Sequence, residues 1–208
     1  TFQVLIFSIQ SSIPYFVRFV LGMKESGQLF IQIAFLIGAL ISIPIWIKIA
    51  HKKNSNRFVY LTSAILLSAF SLSLTFMPNL MVILIVVIFW GFSLGGFWSM
   101  ERPILSDVID ESVIKTGKRQ EGTYISIVMF FNRLAIIIQV IIFAIVHSLT
   151  GFVEGAETQS LPAQIGIRLH FGLIPMIFLI IGTIIFWKYY TLNPERVSEV
   201  QKELGNIK

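Results

Sequence analysis

The sequence predicts an all-α membrane protein of six transmembrane helices, and three observations carry that prediction. Hydrophobic residues fill 55% of the 208 positions, and mean hydropathy is +0.82. Charged residues make up only 13%, about half the share usual in a soluble domain. Finally, the apolar residues gather into six runs, each near the roughly 20 residues an α-helix needs to cross a hydrocarbon core about 30 Å thick.

The first run, Phe2 to Gly22, has neither a basic leading segment nor a small-residue cleavage site, so it reads as a span and not as a signal peptide. Gln28 to Ile47 is the second, closed by the basic stretch "KIAHKKNSNR". Phe58 to Met77 is the third. Leu80 to about Leu105 is the fourth, with continuation toward Glu111 left open. Thr123 to Leu149 and His170 to Trp187 complete the set. Residues 1–190 therefore form one six-helix domain, and 191–208 a C-terminal cytoplasmic tail. The strict alternation of a membrane β-barrel is absent. So are cysteines, which excludes disulfides and thiolate metal sites.

Basic residues set the orientation. Lys48, Lys52, Lys53 and Arg57 fall between spans two and three; Arg102, Lys115, Lys118 and Arg119 between four and five; Lys188, Arg196, Lys202 and Lys208 after span six. The opposite side carries Lys24 and Arg168, accompanied by Glu25, Glu154 and Glu157. The positive-inside rule makes the richer side cytoplasmic, together with both ends of this chain. The expectation is a multi-pass protein of the cell membrane whose net charge of +5 reflects topology. Its first partner is then the lipid bilayer, and no nucleic-acid partner is implied. The chain opens on Thr1 and enters an apolar helix within two residues, as a portion of a longer protein would.

Ionisable groups at membrane depth cost about 2.5–3.5 kcal/mol on insertion scales, so each asks for a reason. Arg133 lies too deep in span five to snorkel and should face a cavity or a partner; a structural salt bridge is the alternative. Asn132 and Gln139, seven positions apart, extend a polar stripe beside it. Gln10, Pro14 and Arg18 recur at i, i+4, i+8 on span one, making Gln10 and Arg18 possible cavity-lining groups. Gln28 and Gln32 suit an interface equally well, and His147 reads as interfacial. Trp98 either stacks on a sugar ring or anchors the membrane boundary. Glu101, one turn on, is the only carboxylate placed to enter a span. Gly91, Gly95 and Gly96 permit close helix approach.

"SDVIDESVIKTGKRQEG", Ser106 to Gly122, concentrates seven charged residues. It fails as a phosphate loop, since Ser112 and Arg119 stand where Gly and Ser or Thr are needed. Asp107, Asp110 and Glu111 lack a histidine partner for a metal. An HExxH motif is absent throughout. No catalytic residue, metal site or cofactor is predicted, and the chain is not expected to be an enzyme. Glu111 and Lys115 instead form an i, i+4 pair, and Gly117 suits a left-handed helix cap, giving a structured hairpin loop between spans.

The longer stretch "SDVIDESVIKTGKRQEGTYISIVMFFNRLA" resembles the signature of the glycoside-pentoside-hexuronide:cation symporters, the melibiose permease group of the major facilitator superfamily. That pattern runs D-V-x-D-x-x-x-x-x-T-G-x-R-x-E-G into an aromatic-rich helix bearing a basic residue. With six spans and a basic loop after the second, the whole chain resembles the C-terminal half of that twelve-helix fold. The resemblance implies that Asp107, Asp110, Arg119 and Glu121 form a cytoplasmic gate or charge network. It implies that Trp98, Arg133 and Asn132 contact substrate, with arginine at 133 where the melibiose permease has lysine; charge is preserved and geometry changed. It also implies secondary active transport, a cation-coupled symport of a sugar, glycoside or related solute by alternating access. The coupling ion would be Na⁺ or H⁺, bound by the N-terminal six-helix half, which is a second partner. A half-size transporter that homodimerises, and a lipid-handling or non-transporting membrane protein, are the alternative readings.

Overall fold

The computed structural model describes residues 1–24 and 26–207, with side chains through 205. Every regular element among the described residues is helical. α1 (Phe2–Tyr15) passes directly into a wider π-helical turn, Phe16–Val20. α2 (Ser26–Lys53), α3 (Asn56–Leu74), α4 (Leu80–Thr116) and α5 (Glu121–Leu149) come next. α6 (Leu161–Arg168), a second π turn (Leu169–Leu173) and α7 (Ile174–Tyr189) make one continuous rod, and α8 (Pro194–Ile207) comes last. α2, α3, α4, α5 and the α6–α7 rod are each long and apolar enough to cross a membrane. The chain is thus a multi-pass helical membrane protein.

Three boundaries differ from those read in the sequence, each for a local reason. The last span starts at Leu161 instead of His170, because Ser160 caps the helix, its Oγ accepting from the Ala163 amide at 3.4 Å, and Pro162 favours the first turn. Residues 194–207 are helical: Asn193 Oδ1 accepts from the Arg196 amide at 2.8 Å, with Pro194 opening the helix. Ser106 to Thr116 is not loop but the continuation of α4, which stops only at Gly117, φ 68°. At 37 residues α4 is about 55 Å long, so its part beyond Arg102 protrudes well past a hydrocarbon core.

α2 and α4 form the most extensive helix contact. A Cβ on Gly38 would meet the Ile88 carbonyl, and one on Gly91 the Phe35 carbonyl. A Cβ on Gly95 would stand 2.7 Å from the Ala39 carbonyl. The backbones touch because these positions carry no side chain, the packing that small residues give membrane helices. Trp46 closes over Gly96, and its Nε1 donates to the Phe92 carbonyl at 2.9 Å. α3 joins α4 through Trp90 Nε1, which donates to Ser71 Oγ at 2.9 Å in a fully buried contact.

The two π turns meet. Phe16 and Phe171, both fully buried, lie 4.6 Å apart between ring centroids. One turn away Ser12 Oγ and His170 Nδ1 are 2.5 Å apart. Pro175 has no amide for the Phe171 carbonyl, and the wider turn before it accommodates that loss. Arg168 Nη1 donates to the Thr75 and Met77 carbonyls at 3.4 and 2.9 Å, covering the C-terminal end of α3. α5 is the outlying helix, burying only Ala135, Gln139 and His147.

Gly38→Leu should lower the stability of the purified protein by about 3 kcal/mol, read as a drop in its thermal unfolding midpoint in detergent. Gly122→Ala, where a Cβ meets open space, should leave that midpoint unchanged.

Candidate functional site

A cleft of about 380 Å³ opens between α1, α2 and α4. Gln10 comes from α1, Gln32 and Phe35 from α2, Trp90 and Trp98 from α4, and Leu74 and Phe171 help close it. The α2–α4 contact sets the aromatic wall: Phe35 meets Trp98 edge-on at 6.2 Å and Trp90 at 5.6 Å. Trp90 is fixed by its bond to Ser71, while Trp98 is 40% exposed. Two glutamine amides and the tryptophan indoles are the side chains with hydrogen-bonding groups on otherwise apolar walls. Such a surface can stack on a ring and offer a few oriented polar contacts.

The structure brings some of the sequence-derived candidates together and separates others. Trp98 and Gln10 share the cleft. Arg18 does not; it is exposed, 5.0 Å from the Phe19 ring, in a shallow depression with Lys24 and Gln28. Glu101 is half-buried beside Tyr60. On α5, Arg133 is exposed and makes no ion pair among the described residues, and Asn132 is half-buried. Arg133 stands about 18 Å along the axis from Glu121. Gln139, read as extending a polar stripe with Asn132 beside it, is buried and turned from Arg133 to α1, its Nε2 donating to Ser11 Oγ at 2.7 Å. His147, two residues from the end of α5, is 8% exposed and stacked on Phe152 at 4.4 Å.

The acids and bases of 107–121 sit where α4 leaves the bundle, beside the start of α3 and the end of α7. Arg119 lies 2.7 Å from Glu121 and 3.4 Å from Asp110. Lys115 pairs with Glu111 at 3.1 Å, the spacing anticipated from the sequence. Arg196 of α8 reaches the same Glu111 at 3.7 Å and also holds Glu199 at 3.2 Å. Asp107 is different. It is 8% exposed and held by neutral donors, Asn56 Nδ2 at 3.1 Å and Tyr190 OH at 3.2 Å. Burial pushes its carboxyl above the usual range, the two hydrogen bonds pull it partly back, and Asp110 adds to the rise.

Sequence reasoning did not find Tyr190, Asn56 or Arg196 in this cluster, nor Gln32, Phe35 and Trp90 in the cleft. Gln10 and Gln32 are on different helices, and no spacing rule links them. Tyr190 lies where the last span gives way to a polar tail, and only the fold brings it against Asp107.

A bundle of membrane-crossing helices, one face opened into an aromatic cleft and one end braced by ion pairs, is the architecture of a transporter domain. The chain belongs to the MFS/sugar transport protein family, whose pattern matches residues 2–193. The resemblance read in residues 106–135 therefore stands. The chain is similar to the sodium-dependent lysophosphatidylcholine symporter 1-A of Danio rerio, 24% identical over 198 residues, covering 94% of this chain and 37% of that protein. It is similar to the glucuronide carrier protein homolog of Escherichia coli, 26% identical over 211 residues, covering 97% and 44%. It is similar to the lactose permease of Lactobacillus delbrueckii subsp. bulgaricus, 24% identical over 192 residues, covering 91% and 30%. The chain thus spans less than half the length of these relatives. They are transporters, not enzymes.

Because the folded state raises the Asp107 pKa, it binds the proton more tightly than the unfolded chain. The resulting penalty on stability is full above the folded pKa and is relieved as pH falls toward the ordinary carboxylate value. Asp107→Asn should remove that dependence, flattening the thermal midpoint between about pH 4 and about pH 7, with no loss of stability at neutral pH.

Proposed function

We propose that this chain is the C-terminal six-helix half of a cation-coupled symporter that moves a sugar, glycoside or related solute by alternating access. In this reading α1 with its π turn is the first of six spans, and the end bearing Asp107 to Glu121 faces the cytoplasm, as do both ends of the chain. The facing half is an N-terminal six-helix domain of the same polypeptide or a second copy, and it supplies the Na⁺ or H⁺ site.

The observation that carries the reading is Arg133. A guanidinium exposed at mid-span without an ion pair cannot rest against hydrocarbon, where it would cost about 2.5–3.5 kcal/mol. An aqueous pathway shared with another helical half gives it water, substrate or a counter-charge, as midplane sites between transporter repeats do. Trp98 then stacks on the solute ring from across the cleft mouth, Gln10 offers an amide to its hydroxyls, and Arg133 with Asn132 binds hydroxyls or a carboxylate. Asp110, Arg119 and Glu121 are paired in the present conformation and hold one access state, while Asp107 ties α4 to α3 and Tyr190.

The apolar lining of the cleft favours a second reading, an amphiphilic substrate with a lipid-like tail. Uptake into proteoliposomes containing the full transporter separates the two. Under an imposed Na⁺ or H⁺ gradient, a β-glucuronide or lactose should accumulate. Arg133→Ala should abolish that accumulation with expression unchanged, and Trp98→Ala should raise KM roughly tenfold, the value of one lost aromatic stack. Normal uptake by Arg133→Ala would sink the cavity assignment. Transport of lysophosphatidylcholine without glycoside uptake would select the amphiphile.

A further inference from the structure

We infer that the groove between α3 and α7 binds an anionic glycerophospholipid, one acyl chain lying in the groove and the phosphate headgroup resting on Arg57 and Lys188. The inference requires only that the chain lies in a membrane, and it is independent of what the cleft transports.

The groove holds about 510 Å³ and faces away from the cleft. Its walls are Leu61, Ile65 and Leu72 of α3 opposite Met176, Ile180 and Trp187 of α7. Two hydroxyls in it are already engaged on their own helices: Ser68 donates to the Ala64 carbonyl and Thr183 to the Leu179 carbonyl, each at 2.8 Å. What remains is a hydrocarbon trough. From Leu61 to Leu72 it runs about 16 Å along α3, the depth of one leaflet of a core about 30 Å thick.

The mouth of the trough is basic. Trp187, 62% exposed, forms one lip, and its carbonyl accepts from Arg57 Nη2 at 3.0 Å. Arg57 Nε has no acceptor among the described residues. Lys188 is the next residue after Trp187, and Lys53 lies 5.6 Å from the Phe58 ring, one position from Arg57. Among the described residues none of these three cations forms an ion pair; Asp110, Glu111 and Glu121 at this end are engaged by Lys115, Arg119 and Arg196, and Asp107 by Asn56 and Tyr190. Uncompensated positive charge at the interface attracts an anionic headgroup, and a zwitterionic one brings no net charge to meet it. A guanidinium beside a lysine also suits a phosphate oxygen.

Native mass spectrometry of the purified chain tests this, with phosphatidylglycerol and phosphatidylcholine added in equal amounts to the micelles. One phosphatidylglycerol should be retained in preference, and the double variant Arg57→Gln, Lys188→Gln should weaken it about fivefold per charge removed. Ala69→Trp, which fills the trough from its exposed wall, should abolish retention with helix content unchanged by circular dichroism. Equal retention of both lipids, undiminished retention in Ala69→Trp, or a dimer that this substitution breaks would overturn the inference; the last outcome would assign the groove to a second copy.

Discussion

The backbone contact between α2 and α4 is the constraint on which the rest of this structure depends. In a bilayer, tails are as apolar as the side chains, so helices gain little by burying surface against one another and must gain it by close approach. Gly38, Gly91 and Gly95 provide that approach. Because the two helices touch, Phe35 and Trp98 meet edge-on in one aromatic wall instead of being held apart by a layer of side chains. The same contact places α4 for α3 to pack on, through Trp90 and Ser71. α5, which has no part in it, lies at the periphery.

Polar groups in this chain fall into two populations. Ser63, Ser68, Ser93 and Thr183 satisfy themselves on carbonyls of their own helices and contribute little to recognition. Gln139, Ser12, His170 and Ser71 bond between helices and act as fastenings. Gln10, Gln32 and Arg133 belong to neither population and stay exposed. These are the groups that the proposed solute pathway would use.

Helix type and position were legible from hydropathy, since lipid forces each crossing segment to be long, apolar and internally hydrogen-bonded. The Gly117 cap and the Glu111–Lys115 pair were legible because both are local. The ends of the spans were less so. The Leu161 start and the protruding part of α4 are helical for reasons of capping and tertiary support, while hydropathy reports only where lipid lies. Side-chain partnering was least legible. Asn132 and Gln139 were read, from their seven-residue spacing, as a stripe beside Arg133, yet the fold turns Gln139 to Ser11 and leaves Arg133 outward. In α1, the π turn from Phe16 shifts the register of the residues it contains, so Arg18 is not on the cleft face that the i, i+4, i+8 spacing from Gln10 implied.

The length of α4 has a mechanical consequence. From Gly95, where it touches α2, to Thr116 is roughly 30 Å of continuous helix. A tilt of about 10° about that fulcrum would swing its tip by about 5 Å, more than any hydrogen bond can stretch. Asp107 is tied to Asn56 of α3 and to Tyr190, and Glu111 to Arg196 of α8. Tilting α4 alone would snap these ties, whereas tilting α3, α4, α8 and the end of α7 together would preserve them. The bonds at the tip therefore couple a small angular change in the membrane to one rigid lever arm outside it.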